Sequence, residues 1–260
     1  MNSATFRSQR LYSTSCRGCP KPTKSMETLE TVSREGPERL HPALTNPNWI
    51  VLRRRREIFQ KWLASVEGQD LKVLDVGGRI QPYRPLFEER IGRYVAVDLR
   101  PTPLVNIVAR GEELPLASAQ FDLVICTQVL EYIPEPAAVI AEIHRVLKPG
   151  GCLLLSAPAI FPRDSDHDLW RFLPDGLRWL LRSFRDVEVV AEGSSIAGFF
   201  RSVNICLLLF AKSAFLGTLL RFSVIPVSNI VAASLEFIIA SSNDQFSANF
   251  SAVARKCAYS

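Results

Sequence analysis

A doubly wound α/β fold, mostly parallel and completed by a C-terminal strand, is what this 260-residue chain predicts. Three observations predict it. Short β-branched runs recur between residues 72 and 158, and they are nearly continuous rather than alternating, as strands buried on both faces are. Helix-period stretches lie between them, which makes βαβ units and a parallel sheet. After residue 160 the pattern changes to a loop, a helix and a closing strand pair split by a long apolar insertion.

Taken in order, residues 1–47 are rich in Ser, Thr, Arg, Lys and Pro without sustained apolar periodicity, and read as a disordered basic leader. No apolar stretch follows the basic residues, which argues against a signal peptide. From residue 49 to 66 the pattern is helical: Ile50, Ile58, Trp62 and Val66 recur on one face. The four arginines at 53–56 interrupt that face and read as a solvated flank, or as contact with an acidic surface such as anionic lipid. Strands are predicted at 72–77, 94–99, 105–109, 121–129 and 151–158. Between the last two, Ala138, Ile140, Ile143, Val146 and Leu147 line one helix face, which ends at Pro149, Gly150 and Gly151. A further helix opens near Pro174 and Asp175, with Trp179, Leu180 and Leu181 as core. Residues 186–193 and 246–256 are the closing strands. The chain thus divides into a leader (1–47), a core (48–198), an apolar helical insertion (199–242) and a C-terminal strand completing the sheet (243–260).

Composition narrows the function. The net charge is +5, yet residues 1–60 hold 11 Lys+Arg against 5 Asp+Glu, and the remainder holds 20 against 21. The body therefore lacks the basic balance that reading a phosphate backbone requires, and no nucleic-acid partner is expected. Of the six cysteines only Cys16 and Cys19 form a C-x-x-C, without a second pair at zinc spacing. No metal is expected, and the thiols suit a reducing cytoplasm. Lys212, Arg221 and Glu236 break the insertion, so no 18-residue apolar window is free of charge. A spanning helix is disfavoured. Two helices that pack on the body or lie in a membrane interface fit better, with peripheral contact through residues 199–240 at the inner face of the membrane. Lys212 and Arg221 are then snorkelling or solvated positions.

In a doubly wound sheet, ligands bind beyond the carboxyl ends of the strands, where strand order reverses. The first strand ends at Asp75, Val76, Gly77 and Gly78, and glycines there allow close backbone approach to a ligand. The second strand ends in Asp98, whose carboxylate can accept two hydrogen bonds from a ribose diol. Their placement on successive strands points to a nucleoside.

The blocks "VLDVGG", "VAVDL", "GEELPLASAQFDLVICTQVLEYIPEP" and "IHRVLKPGGCLLLSAP" together resemble the class I S-adenosylmethionine-dependent methyltransferases over residues 70–160. That resemblance implies a seven-stranded, Rossmann-like sheet with an antiparallel C-terminal strand, and S-adenosylmethionine as cofactor. It implies that Asp75, Gly77 and Gly78 surround the methionine part, that Asp98 binds the ribose, that Glu112 and Leu114 flank the adenine, and that Gln128 and Val129 lie near the transferred methyl. Arg79 and Arg110 depart from the pattern, the first replacing a glycine of the loop and the second an acid. "GGRIQPYRPLF" with "DHDLWRF" is further similar to bacterial members acting on surface glycans and lipid-linked sugars.

A sulfonium is already an activated donor, so transfer needs positioning, a dry pocket and a base for the acceptor proton. His167, between Asp166 and Asp168, is the candidate base; a surface loop histidine is the alternative. Trp170 and Arg171 are candidates for a substrate wall and an anion clamp, and Tyr83 and Arg84 for the same cleft, against packing of the loop and helix end. Glu131 and Tyr132 read as capping and packing residues. The expected activity is O-methylation of a sugar, a glycolipid or another small acceptor. A quinone or lipid methyltransferase and a silent cofactor-binding scaffold at the membrane are the alternatives. A hydride-transferring dehydrogenase is disfavoured because the loop lacks the G-x-G-x-x-G spacing.

Overall fold

A computed structural model describes residues 29–163, 165–239 and 243–258. Cys16, Cys19 and residues 1–28 of the expected leader lie outside the described residues. Within the described part, the leader's end is ordered against expectation: α1 (Leu29–Leu40) is a helix. Tertiary contacts make it so. Val32 and Leu40 are buried. Glu35 forms an ion pair with Arg79 at 3.3 Å, and Gly36 sits so close to the Ile80 carbonyl that a Cβ would come within 2.6 Å of the oxygen.

After α2 (Trp49–Ala64), seven strands build the sheet: β1 (Leu71–Val76), β2 (Ile91–Asp98), β3 (Ile107–Val108), β4 (Phe121–Thr127), β5 (Leu147–Pro158), β6 (Arg185–Ala191) and β7 (Asn249–Arg255). Their order is β3-β2-β1-β4-β5-β7-β6. β1, β2, β3, β4 and β5 pair in parallel, and β7 runs antiparallel between β5 and β6. Strand order reverses between β1 and β4. Successive residues point to opposite faces, so the near-continuous apolar runs are buried twice. Leu74, Val76 and Val124 pack beneath α3 (Pro136–Val146) and α4 (Pro174–Leu180), and Val73, Leu123, Ile125 and Leu154 pack under Phe59 and Trp62 of α2.

Three expectations need correction. Arg55 is no solvated flank: it is 2% exposed and pairs with Glu192 at 2.8 Å. Trp179 is 69% exposed, stacked under the Arg182 guanidinium, while Leu181 two residues on enters the core; helical spacing does not say which side of the stripe faces inward. The insertion holds three helices rather than two: α5 (Ser195–Phe210), α6 (Ala214–Phe222) and α7 (Val224–Ile239). The Ser213 side chain caps α6 by accepting from the Leu216 N–H. By length and composition the stretch Ala214–Ile239, with a mean hydropathy of 1.8, also meets the requirement for a membrane span. Pro158 of β5 pairs with Asn249 at the start of β7, and Ala191 at the end of β6 pairs with Phe250. The insertion therefore leaves the sheet at the same end as the tips of the parallel strands.

Candidate active site

The point of reversal is assembled from three strand tips. In the β1–β2 pairing Val76 lies beside Val97, and the Gly77 and Gly78 N–H groups donate to the Val97 carbonyl at 2.8 and 3.3 Å. Gly77 takes a φ of 79°, and a Cβ there would meet Val129 Cγ2 at 2.2 Å. The turn after β1 and the turn after β4 thus interlock, and only glycine permits it. Gly78 lies over Asp75, where a Cβ would fall 2.7 Å from the carboxyl carbon.

Asp75 is enclosed beneath this turn, and its Oδ2 accepts from the Tyr94 hydroxyl at 2.6 Å. Burial pushes its pKa up to about 7; the Tyr94 hydrogen bond works against that rise and the nearby Asp98 charge adds to it. It lies enclosed beside the Gly77–Gly78 turn. Asp98 is half-buried at the end of β2, and its Oδ1 accepts from the Arg100 N–H at 2.7 Å. Leu99 next to it is 57% exposed, an apolar surface at the rim that sequence reading missed. Glu112 accepts from Arg110 at 2.6 Å, and its second oxygen is buried without a hydrogen-bond partner among the described residues. The departure at Arg110 therefore arrives with a carboxylate beside it. Leu114 corrects an expectation: its side chain is core, its N–H donates to Glu142 and its carbonyl accepts from Arg145, so α3 claims it rather than an adenine.

Gln128 is half-buried with a φ of 55°, a left-handed backbone unusual for a side chain of its size. Ser156 of β5 holds it there: the Gln128 N–H donates to the Ser156 carbonyl at 2.8 Å, and its side-chain amide donates to Ser156 Oγ at 3.1 Å. Ser156 in turn donates to Glu192 at 2.6 Å, as do Ser251 at 2.6 Å, Asn249 at 3.1 Å and Arg55 at 2.8 Å. Nothing local in the sequence announces this buried carboxylate, because its partners come from α2, β5 and β7.

The acceptor side differs more from expectation. Tyr83 does not face the cleft; it is buried against Phe59, with its hydroxyl accepting from Arg55 at 3.3 Å. Arg84 donates to Gln81 and lies over the Tyr94 ring, 3.4 Å from Glu88. Arg171 is no open clamp, because all five of its N–H donors are used: two on Asp168 at 2.5 and 2.7 Å, and the others on the Phe161, Pro162 and Trp170 carbonyls. Asp168 is thereby committed to Arg171, and Asp166 lies 3.6 Å from Arg163, while His167 stands exposed on the loop. Trp170 is partly exposed and donates from its indole to the Ile133 carbonyl at 2.8 Å. Glu131 ties this loop to the β4 tip, its carbonyl accepting from the Leu169 and Trp170 N–H groups at 2.7 and 3.2 Å. Its carboxyl is buried with one oxygen lacking a hydrogen-bond partner among the described residues, and burial raises its pKa to about 7.

An open, mostly parallel sheet with a glycine turn and an acid on adjacent strand tips at the point of reversal is the arrangement with which doubly wound α/β folds bind nucleotides. Residues 74–155 of the chain match the family described as a methyltransferase domain. Over 62 residues it is 45% identical to a ubiquinone biosynthesis O-methyltransferase of Pseudomonas aeruginosa, covering 24% of each chain. Over 131 residues it is 30% identical to a Mycolicibacterium smegmatis protein named as a probable S-adenosylmethionine-dependent methyltransferase, covering 46% of this chain and 50% of that one. It spans about a quarter to a half of the length of these curated relatives. Among solved structures, a Haemonchus contortus phosphoethanolamine N-methyltransferase with S-adenosyl-L-methionine superposes with a TM-score of 0.50 at 17% identity, covering 92% of this chain and 61% of the other.

Proposed function

We propose that this protein transfers a methyl group from S-adenosylmethionine to an oxygen of a sugar, a glycolipid or another small acceptor, at the inner, cytoplasmic face of a membrane. The observation that supports the reading is the meeting of the Gly77 turn with Val129 at the point of strand reversal, where β2 ends in Asp98 and Gln128 follows β4, within the matched residues. The bound cofactor would supply an activated methyl on a sulfonium. The chain's residues do the rest: Asp98 accepts from the ribose diol, the Glu112 oxygen without a partner is a ready acceptor for a donor on the base, and Ser156 fixes the Gln128 amide near the transferred methyl. The acceptor proton goes to a loop group, His167 at the surface or Glu131 beneath it.

A quinone-like or lipid acceptor is the second reading, favoured by the apolar insertion at the same end of the sheet. Titrating S-adenosylmethionine and NADH into the protein by calorimetry should give heat with the first alone, and Asp98→Ala should weaken that binding by roughly tenfold to a hundredfold, the worth of hydrogen bonds to a charged group. Heat with NADH only overturns the proposal. Tight cofactor binding without label transfer from a methyl-labelled donor to any glycan or lipid extract would establish the scaffold alternative.

A further inference from the structure

We infer that α6 and the outward face of α7 seat in an anionic lipid surface, and that this seating brings a membrane to the end of the sheet that carries the strand tips. The seating stands on the helices themselves; its consequence for the acceptor, a lipid-borne molecule presented at headgroup level, rests on the methyl-transfer reading above.

None of the residues of α6 is buried. Phe215, Leu216, Leu219 and Phe222 fall on one arc of that helix, and Phe215 is 79% exposed. Gly217, Thr218 and Arg221 occupy the other side. An amphipathic helix with its apolar arc facing no protein has the design of an interfacial helix. On α7, Ile225, Asn229 and Ala232 face the body, whereas Val227, Ile230, Val231 and Ile238 face away, and Phe237 is 87% exposed. Together these form an apolar surface of a kind that monomeric soluble proteins do not leave bare.

Charge selects the occupant. From residue 199 to 239 the charged side chains are Arg201, Lys212, Arg221 and Glu236. Arg201 is buried, and the largely buried Glu236 accepts from the Ser194 N–H and faces Arg54. The exposed charges are therefore Lys212, two residues before α6, and Arg221 on its polar side; both are cationic, which suits anionic headgroups. Attachment to the body favours lying on the surface over crossing it. The Asn229 amide donates to the Leu44 and Asn46 carbonyls at 2.8 and 3.0 Å, and Glu236 holds the residue that caps α5, so two turns of α7 are fastened lengthwise to protein.

The loop after β5 is coupled to this platform through α5. Arg201 donates to the Ile160 carbonyl at 2.8 Å and to Asn48 at 2.9 Å, and its guanidinium lies 4.1 Å from the Phe161 ring. Phe161 also supplies a carbonyl to Arg171. The loop that carries His167 and Trp170 thus rests on the helix that begins the insertion.

The test is flotation of the full chain with phosphatidylcholine vesicles, with and without phosphatidylglycerol, at low salt. Binding should be at least tenfold stronger to the anionic vesicles and should fall at high salt. Replacing Phe215, Leu219 and Phe222 together by serine should abolish flotation, and Lys212→Ala with Arg221→Ala should remove the preference for anionic lipid. All five side chains are exposed, and unchanged heat with S-adenosylmethionine establishes that the variants are folded. The inference is overturned if the native chain stays with the soluble fraction at every lipid concentration, or if the serine variant floats equally well. It is also overturned if light scattering shows a stable dimer that the serine substitutions dissociate, or if the bound chain resists alkaline carbonate as a spanning helix does. Flotation without any heat from S-adenosylmethionine would keep the lipid seating and discard the methyl-transfer reading.

Discussion

At Asp75 the fold holds a carboxyl group under a glycine turn, with Tyr94 as its hydrogen-bond partner and Asp98 nearby. From about pH 4, the ordinary aspartate value, up to about 7, the folded chain keeps a proton there that the unfolded chain has lost. The unfolded state binds fewer protons, so this group's contribution to stability falls as pH rises through that window and levels off above it. The slope is at most about 1.4 kcal/mol per pH unit. Asp75→Asn retains an acceptor for the Tyr94 hydroxyl and removes the ionisation. Urea midpoints between pH 4.5 and 8 should show the native chain losing ground to the variant; a constant difference would mean that Asp75 titrates like a surface aspartate. The positions of Gly77, Gly78 and Asp98 at strand tips were legible in the sequence because the end of an apolar run fixes where a residue stands. Tyr83 and Arg171 were not, because residue type says what a side chain can bond and not what already occupies it: Arg55 for the first, five acceptors for the second.

The turns after β1 and β4 behave as one element, since Gly77 and Val129 occupy adjoining space. Gly77→Ala would set a Cβ into Val129 at a positive φ, which should cost about 1–3 kcal/mol and weaken the cofactor. Adding Val129→Ala relieves the collision but not the backbone cost, so a double-mutant cycle should recover part of the loss. Simple additivity would show that the turns are independent. Elements dictated by local pattern were readable: every predicted strand is present, and β1, β4 and β5 are apolar almost throughout because both their faces are buried. α1 was hidden, since its helix depends on Arg79 and Ile80, more than forty residues further along the chain. The insertion was recognised as apolar and helical, but the serines that divide it look in sequence like ordinary small polar residues.

Across the molecule, Glu192 joins α2, β5 and β7 through Arg55, Ser156, Asn249 and Ser251, and Ser156 reaches on to Gln128. Arg55→Ala would leave that carboxylate buried without its counter-charge and should cost about 3–5 kcal/mol in urea unfolding, against about 1 kcal/mol for Ser251→Ala. Equal costs would mean that the cluster is solvated in the native state. The sequence showed where charge lay along the chain but not that one of four consecutive arginines pairs across 137 positions. Helix α1 carries a related lesson about boundaries. A chain trimmed to begin at residue 48, where composition turns globular, would retain all seven strands and still lose Glu35 and the Gly36 contact. The chain just after the Gly77–Gly78 turn would then stand without its outer buttress, and the most natural place to cut this protein would be the wrong one.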